Sequence, residues 1–355
     1  MSPTAFVYTG RPARVVFGPG TLAQAGAELE RLRVTRALVL CTPHQEAQAA
    51  ALAHQLGARA AGVFAGAVMH TPFAVTEEAL AALRALGADG VVSLGGGSTI
   101  GLGKALAVRT GVAQLAIPTT YAGSEMTPVL GETADGVKTT RQGPDILPEA
   151  VIYDVELTLG LPAALSGTSG INAIAHAVEA LYAQAANPIV SLMAEEGIAA
   201  LARALPAVVD DPRALGPRTD ALYGAWLCGT CLGAVGMALH HKLCHTLGGT
   251  FGLPHAETHT AVLPHATAYN APAAPAAMAR IARALGAADA ALGLYELAGR
   301  VGAKRALADL GMPAAGIDRA IDLTLATPYP NPRPLERAAL HDLLSRAYAG
   351  APPHA

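Results

Sequence analysis

The segment Gly90-Val91-Val92-Ser93-Leu94-Gly95-Gly96-Gly97-Ser98 decides the fold of the first half of the chain. Its apolar start is typical of a buried strand, and residues 102–108, beyond the glycines, have a helical pattern. Three consecutive glycines let a ligand approach the backbone closely, and the following helix offers free N–H groups to a pyrophosphate. The spacing differs from the usual G-x-G-x-x-G, so a tight strand–helix turn without a ligand is the alternative interpretation.

On both sides of this segment, short apolar runs alternate with helical patterns. Strands are predicted at residues 37–41, 62–64, 90–94 and 114–118, and helices at 46–56, 75–86 and 102–108. Such alternation is typical of a parallel, doubly wound sheet. We therefore expect an α/β, Rossmann-like nucleotide-binding domain over residues 1–160.

The pattern changes after about Leu161. Long Ala- and Leu-rich stretches follow, separated by Gly, Pro and Asp, at residues 169–184, 191–205, 221–247, 275–285, 290–310 and 335–349. The alternation of strands and helices does not continue there. Residues 161–355 are therefore predicted to form an all-helical domain.

Composition narrows the class of protein. The 355 residues carry a formal net charge of −3 without a basic stripe, which argues against nucleic acid as a partner. The N-terminus lacks the apolar run of a secretory signal, and polar residues interrupt the apolar stretches, so neither export nor a membrane span is expected. Four cysteines in so long a chain do not indicate a disulfide framework. A cytoplasmic protein of enzyme size is expected.

A second polar loop supports cofactor binding. The cluster Pro118-Thr119-Thr120-Tyr121-Ala122-Gly123-Ser124-Glu125 comes at the end of the strand predicted at 114–118. In a doubly wound sheet, the ligand lies beyond the carboxyl ends of the strands. Two polar loops containing glycine, at two such ends, favour a cofactor site over an empty turn.

Histidines are concentrated in the second half, where six of the twelve lie between residues 240 and 265. On the helix predicted at 221–247, His241 and His245 are four residues apart and therefore share a face. Gly248-Gly249 is expected to end this helix.

Two further groups add to this pair. His255 and His259 are expected in the loop that follows, and Asn172 and His176 lie four residues apart on another predicted helix. Two such pairs and a loop histidine can converge between helices to form a metal or catalytic site. A packing or surface role is favoured instead for His240, His259 and His265.

A metal in this cluster would have to use Asn172 as a ligand. Divalent iron or zinc prefers a carboxylate, and a neutral amide removes a compensating negative charge, so a bound metal is disfavoured. The pair Cys228-x-x-Cys231, with Cys244 further along, resembles part of a zinc knuckle by its spacing. The apolar helical context of the pair favours packing instead.

Together these segments resemble the iron-containing alcohol dehydrogenase superfamily over nearly the whole chain. Its dehydroquinate synthase-like fold is a nucleotide-binding α/β domain followed by a helical domain. The superfamily's glycine motif matches Gly95-Gly96-Gly97-Ser98, with its following lysine at Lys104. Its four metal-ligand positions fall on Asn172, His176, His241 and His255. The resemblance implies NADH or NADPH as cofactor, with contacts from Thr42, Gly95, Gly96, Gly97, Ser98, Thr119, Thr120, Ser124, Thr127, Lys138 and Leu157.

Two departures from the superfamily pattern resemble one branch of it. Alcohol dehydrogenases of the superfamily usually carry Asp where this chain has Gly101, and Asp at the first metal position, where it has Asn172. Both changes look like the maleylacetate reductase branch, as do the segments 121–127, 171–176 and 329–333. This branch implies NAD(P)H-dependent reduction of the C=C bond of maleylacetate to 3-oxoadipate in the degradation of aromatic compounds, by a homodimer.

The implied reaction assigns roles to the second half of the chain. Hydride addition to the alkene carbon gives an enolate, which needs a hydrogen-bond donor and then a proton. His241 is the first candidate, with His176, His245, His255 and Tyr329 as further candidates. Cations are needed for the two carboxylates, and the substrate-side residues are Arg333 first, then Lys242 and Asn172. The preference between NADH and NADPH and the tolerance of substituted maleylacetates stay open.

Two alternatives also stay open. One is a metal-dependent alcohol dehydrogenase of the same fold, acting on a simple ketone or aldehyde. The other is a catalytically silent ligand-binding relative that keeps the pockets. Metal content, the effect of chelators and NADH oxidation with a dicarboxylic enone distinguish these alternatives from the main hypothesis.

Overall fold

The structure, a computed structural model, describes residues 6, 8, 10, 14–134 and 137–354, without the side chains of residues 137 and 138. The chain divides into two compact units. One is Arg11–Leu161, and the other is Pro162–Ala355 together with the described residues that precede Arg11. The first unit is α/β and the second is helical, which confirms the predicted fold class.

A parallel sheet lies at the centre of the first unit. Its strands are β1 Arg14–Phe17, β2 Ala37–Leu40, β3 Ala60–Phe64, β4 Gly90–Gly95, β5 Ala113–Pro118 and β8 Ala150–Tyr153. They pair in the order β1-β8-β5-β4-β2-β3. A separate antiparallel hairpin is formed by β6 Val129–Ala134 and β7 Val137–Gln142.

Helices cover both faces of this sheet. They are α1 Ala25–Arg31, α2 Glu46–Leu56, α3 Phe73–Ala85 and α4 Gly97–Thr110. Val39 packs in one cluster with Leu29 of α1, whereas its neighbour Leu38 packs with Leu80 of α3 and Leu106 of α4. The strands read as continuous apolar runs because both faces of the sheet are buried.

The carboxyl ends of β2 and β4 form the part of the sheet where a ligand is expected. β2 connects through α2 to β3 on one side, and β4 connects through α4 to β5 on the other side. Ligands of doubly wound sheets bind where the connections diverge in this way. Thr42 follows β2 and Gly96 follows β4, so the loops that they begin meet this switch point.

The second unit is built from helices packed around α5. Its helices are α5 Ala163–Tyr182, α6 Pro188–Asp210, α7 Leu215–Val235, α8 Leu239–Phe251, α9 His255–Asn270, α10 Pro275–Leu285, α11 Ala290–Arg300, α12 Gly316–Ala326 and α13 Arg337–Ala349. α5 packs against α6, α7 and α9, and its residues from Ser166 to Leu181 are all buried. Glycines let α6 and α7 approach closely, because a Cβ at Gly224 would lie 3.0 Å from the backbone oxygen of Gly197.

The prediction of a single helix at residues 221–247 is wrong. α7 ends where Gly236 adopts a φ of +87°, and α8 begins only at Leu239. The predicted end at Gly248-Gly249 is also wrong, because α8 continues through both glycines to Phe251. Helix ends depend on where the terminal backbone groups find partners, which here lie far away along the chain.

The loop predicted around His255 and His259 is the helix α9. It begins directly after Pro254 and contains Pro264. Its sequence contains three His, three Thr and an internal Pro, residues with a low intrinsic helix propensity. Every residue from Thr258 to Asn270 is buried, so tertiary packing overrides the local preference.

Among the described residues, no single helix combines the length and the apolar character that a membrane span requires. α7 and α8 reach that threshold only when taken together, and a bend of 98° separates them.

Candidate active site

The glycine loop leaves its backbone open to a ligand at the switch point. Gly95 ends β4 with a φ of +157°, and a Cβ there would overlap the hydroxyl of Thr99. A Cβ at Gly96 would lie 3.0 Å from Cγ2 of Thr120. α4 starts at Gly97-Ser98, where the first N–H groups have no acceptor earlier in the helix. The loop therefore needs glycine for its shape and offers donors to an anion.

Two hydroxyls beside this loop, Thr99 Oγ1 and Thr120 Oγ1, are buried without a hydrogen-bond partner. Buried polar groups nearly always have one, so these atoms indicate a ligand. The Gln45 side chain crosses the switch point: it accepts from Thr42 Oγ1 at 3.1 Å and donates to Thr119 Oγ1 at 3.1 Å. These features fit the pyrophosphate of a dinucleotide. Gln45 was missed by sequence reasoning, although its position just after β2 was an available signal.

Lys104, which follows the glycine motif, holds the second polar loop in place. Its fully buried Nζ donates to the backbone oxygens of Ser124, Thr127 and Val129 at 2.5, 2.8 and 3.0 Å, and to Thr127 Oγ1 at 3.0 Å. Burial lowers the pKa of Lys104 to about 7. The hydroxyls of Ser124 and Thr127 lie against this lysine, and their contacts with a cofactor stay predictions.

The other residues assigned to the cofactor lie on separate segments. Leu157 is half-buried in a short 3-10 turn after β8. Asp154, just before this turn, accepts from the backbone N–H groups of Gly20 at 3.0 Å and Leu22 at 2.7 Å, which ties β8 to the start of the unit. The side chain of Lys138 lies outside the described part of the chain.

In the second unit, the histidines predicted for the site come together with His259, for which the sequence favours a packing or surface role. His176, His241 and His259 are buried, whereas His255 is exposed. His176 on α5 stacks on His241 on α8, with ring centroids 5.2 Å apart. His259 on α9 lies 5.0 Å from His241 and 4.3 Å from His255, also between ring centroids. Asn172 is buried one turn before His176 on the same face of α5. Helices α5, α8 and α9 therefore each supply part of the site.

Glu179, which sequence reasoning missed, organises the start of α8. Its completely buried carboxylate accepts from the backbone N–H groups of Ala238 and His240, both at 2.7 Å, and from His241 Nδ1 at 2.6 Å. A carboxylate at a helix N-terminus satisfies free N–H groups and interacts favourably with the helix dipole. Glu179 lies three residues after His176 on the same helical face, and this spacing is the signal that could have found it.

Several buried polar atoms of the cluster have no protein partner: Asn172 Oδ1, His176 Nδ1, His241 Nε2 and His259 Nε2. Because Nδ1 of His241 is bound to Glu179, Nε2 is the ring atom left to meet a ligand. Burial holds the pKa values of His176 and His259 well below their ordinary range, and the neighbouring histidines add to the effect. These two rings are therefore neutral, and each can offer one donor and one acceptor.

The donor set is less favourable for a divalent metal than one that includes a carboxylate. Asn172 supplies only an amide oxygen, and the cluster's carboxylate, Glu179, already accepts three hydrogen bonds. Among the described residues, one group of three potential ligands (His, Cys, Asp or Glu) is compact enough to hold a metal. It consists of His240, Cys244 and His259, whose ligand atoms lie within 4.8 Å of one another. That group contains none of the expected ligands. Burial also raises the pKa of the Cys244 thiol, so without a metal this thiol is protonated.

His245, Lys242 and Tyr329 meet beside the cluster. The ring of His245 lies 6.1 Å from that of His241, and its Nδ1 is 3.3 Å from the Tyr329 hydroxyl. Lys242 Nζ lies 5.6 Å from the centroid of the Tyr329 ring and donates to Thr327 Oγ1 at 2.8 Å. Burial raises the pKa of Tyr329, which favours its protonated, donating form. The roles predicted for these three residues stay predictions.

Arg333, the first choice for a substrate carboxylate, is held by Tyr269. Its Nη1 donates to the Tyr269 backbone oxygen at 2.9 Å, and its guanidinium carbon lies 4.3 Å from the centroid of that ring. Asn331 anchors the same segment by exchanging side-chain hydrogen bonds with Asn270. Arg333 also lines a cavity that it shares with His265. Its role as a clamp for the substrate stays a prediction.

The cysteine pair on α7 has the character of packing residues. Cys228 and Cys231 are free and buried. Burial raises the pKa of Cys231 to about 12 and that of Cys228 as well. Protonated buried thiols behave as small apolar groups, which supports packing over a zinc site.

Comparison with known families identifies the class of protein. A family profile described as iron-containing alcohol dehydrogenase matches residues 12–155, and its C-terminal counterpart, Fe-containing alcohol dehydrogenase family, matches residues 166–348. The chain belongs to the iron-containing alcohol dehydrogenase family, and it is an oxidoreductase.

Its similarity to maleylacetate reductases extends over nearly the full length. The maleylacetate reductase of Rhizobium sp. (strain MTP-10005) is 58% identical over 348 residues, which cover 98% of this chain and 99% of the relative. The crystal structure of maleylacetate reductase from Agrobacterium tumefaciens has a TM-score of 0.95 at 59% identity, covering 99% of this chain and 100% of that one. An iron-containing alcohol dehydrogenase from Corynebacterium glutamicum reaches 0.92 at 43% identity, with 97% of each chain covered. The predicted resemblance is thereby confirmed.

Proposed function

We propose that this protein uses NADH or NADPH to reduce the C=C bond of maleylacetate to 3-oxoadipate, in the cytoplasmic degradation of aromatic compounds. It acts as a homodimer and without a metal. The observation that carries the proposal is the buried histidine cluster ordered by Glu179, with Asn172 in place of a carboxylate, in a chain 58% identical to a maleylacetate reductase.

The α/β unit is the part that would hold the cofactor. Such a cofactor, when bound, would supply the hydride that the alkene carbon β to the substrate's ketone requires. Gly95, Gly96 and the first turn of α4 would bind its pyrophosphate, with the unpaired hydroxyls of Thr99 and Thr120 as further contacts. Gln45 keeps the loops after β2 and β5 together around this position.

The helical unit would supply the hydrogen-bond donor for the enolate oxygen and the proton that the enolate then takes up. Hydride addition leaves an enolate, and hydrogen-bond donors stabilise the charge that develops on its oxygen. Glu179 accepts from Nδ1 of His241 and so fixes the ring, and as an imidazolium paired with Glu179 the ring would donate from Nε2 or transfer that proton. The unpaired Nδ1 of His176 is the neighbouring group. Imidazole donors can serve an enolate without a Lewis acid, which agrees with the poor fit of a metal.

A neutral residue at position 172 also suits a dianionic substrate. A carboxylate placed 4–8 Å from a substrate carboxylate would repel it by roughly 2–4 kcal/mol at an effective dielectric constant of 20. The amide of Asn172 avoids this cost, and its unpaired Oδ1 can still accept a hydrogen bond.

The test is NADH oxidation with freshly prepared maleylacetate, on protein dialysed against EDTA and analysed for iron and zinc. We expect full turnover from the metal-free protein and negligible turnover of simple aliphatic ketones. Turnover that appears only after iron or zinc is restored would instead identify a metal-dependent alcohol dehydrogenase. Tight cofactor binding without turnover of any dicarboxylic enone would identify a silent relative.

Substitution at position 172 gives the sharpest form of this test. We expect Asn172→Asp to lower kcat/KM for maleylacetate by about 30-fold or more, because 2 kcal/mol of repulsion corresponds to that factor. It should also increase binding of added zinc in calorimetric titrations. Asn172→Ala is the matched control, since it removes the amide without adding charge, and it should lower kcat/KM by less than Asn172→Asp does. Equal kcat/KM in Asn172→Asp and wild type would contradict the proposed role of the neutral residue.

A further inference from the structure

A second cavity lies where the later part of α9 faces α13 and the tail that follows α13. Its volume is about 150 Å³. We call it the α13 cavity; its polar lining is His265, Tyr269, Arg333, Asp342, Arg346 and His354. His265 lies six residues beyond His259, about 9 Å along the axis of α9 and on a different face. The cavity is therefore not part of the histidine cluster described above.

The charges around the α13 cavity favour an anion. Among the described residues that line the cavity, the guanidinium groups of Arg333 and Arg346 lie beside one carboxylate, that of Asp342. Arg346 Nε donates to Asp342 at 3.1 Å, and Arg333 Nη1 donates to the Tyr269 backbone oxygen. Among the described residues, the other N–H groups of both guanidiniums have no partner. Stacking on the ring of Tyr269 also fixes the direction of the Arg333 side chain.

His265 is the second, independent sign of a ligand. Its side chain is 3% exposed, and Nε2 is buried without a hydrogen-bond partner. Such groups are rare in folded proteins unless a ligand or water satisfies them. Burial and the charge of Arg346 lower the pKa of His265 to about 4, although Asp342 acts in the opposite direction. At neutral pH the ring is therefore uncharged and can donate a single hydrogen bond.

We propose that the α13 cavity binds a small dianionic oxyanion through Arg333 and Arg346, with His265 as a third contact. The planar fork of an arginine matches the oxygen pairs of carboxylate and phosphate. The cavity is several times larger than the ~30 Å³ that one water occupies in the liquid. Hydrogenphosphate and a four-carbon dicarboxylate both have this charge and about this size, so either source satisfies the same chemistry.

The test is isothermal titration calorimetry of the full-length protein, first with sodium phosphate and separately with sodium succinate. The double variant Arg346→Gln/Asp342→Asn removes the arginine without leaving an unpaired carboxylate. We expect at least one anion to bind the wild type, and the double variant to weaken its Kd at least about tenfold, the equivalent of 1.4 kcal/mol. The anion whose binding the double variant weakens more identifies the source, because succinate at the substrate site or phosphate at the glycine loop would be unaffected by this variant.

Two further variants keep this result interpretable. Arg337→Gln is the matched control, because Arg337 is an exposed arginine of α13 that pairs with Asp318 and Asp322 and does not line the cavity. It should retain the wild-type Kd. His265→Phe keeps a ring in place without its nitrogen atoms, and it should weaken the binding of the same anion. Equal binding by wild type and both cavity variants, or binding of neither anion by the wild type, would overturn the proposal.

Discussion

The two units of this protein build their sites in different ways. In the α/β unit, the candidate phosphate-binding loop is one continuous segment, Gly95–Ser98, and its shape depends on glycine, because Gly95 has a φ of +157° and a Cβ there would overlap Thr99. In the helical unit, the candidate proton donor His241 depends on Glu179, which lies 62 residues away along the chain. A backbone site can therefore be identified from neighbouring residues, whereas a side-chain cluster requires knowledge of which helices pack together.

The largest expected effect tests whether the units divide the work between them. His241→Gln should lower kcat for maleylacetate by roughly 10²–10⁴, the usual contribution of a general acid. The Kd of NADH, measured by fluorescence titration, should stay at its wild-type value, because His241 belongs to the helical unit. His341→Gln, at an exposed histidine of α13, is the control and should turn over normally. Near-normal kcat in His241→Gln would remove His241 as the donor.

Glu179→Gln tests the long-range dependence of the helical site. A glutamine has a single accepting oxygen, so its NH2 group would face either His240 N or both Ala238 N and His241 Nδ1, and these buried donors would lose their partner. We expect the free energy of unfolding in urea to fall by about 2–3 kcal/mol. Glu195→Gln, which breaks only surface pairs with Arg280 and Arg283, should cost at most about 1 kcal/mol. Similar losses in both variants would mean that the Glu179 contacts contribute little.

Gly95→Ala tests the backbone site. Its φ of +157° and the overlap with Thr99 force the loop to move, at a cost of about 1–3 kcal/mol. We expect the Kd of NADH to rise about tenfold or more, while kcat at saturating NADH changes less. Gly111→Ala is matched in strain, because Gly111 has a φ of +73° at the other end of α4 and no neighbour within 4 Å of a Cβ. An equal change of Kd in both variants would count against the loop as the binding site.

The smallest expected effect concerns acid stability. The pKa of His265 is about 4, below its ordinary 6.5, so between these values the unfolded chain binds a proton that the folded protein does not. The stability that the folded protein has with a neutral His265 is therefore fully present above pH 6.5, and it is lost as the pH falls toward 4. Between pH 7 and pH 5, the free energy of unfolding of the wild type should fall. In the His265→Asn variant this fall should be smaller by about 1–2 kcal/mol. His341→Asn is the control, and the same slope in all three proteins would contradict the expectation.

Periodicity predicted the regular elements with uneven success. α2 and α10 begin and end where the patterns at residues 46–56 and 275–285 place them, and each ends at a glycine with a positive φ, +58° at Gly57 and +65° at Gly286. The short strands β1 and β8 and the hairpin of β6 and β7 went unpredicted. Strands of four residues, such as Arg14–Phe17, carry too little periodicity and depend on pairing with strands far along the chain.

Local sequence was sufficient for the fold class, the family and the glycine loop, since alternation and consecutive glycines act through neighbouring residues. It also identified the residue types at the helical site, including Asn172 in place of a carboxylate. The contacts of Glu179 and Gln45, the break between α7 and α8 and the helical state of α9 required the three-dimensional packing. In each case the partner groups are distant in the chain, and burial together with satisfied hydrogen bonds outweighs the local preference of the backbone.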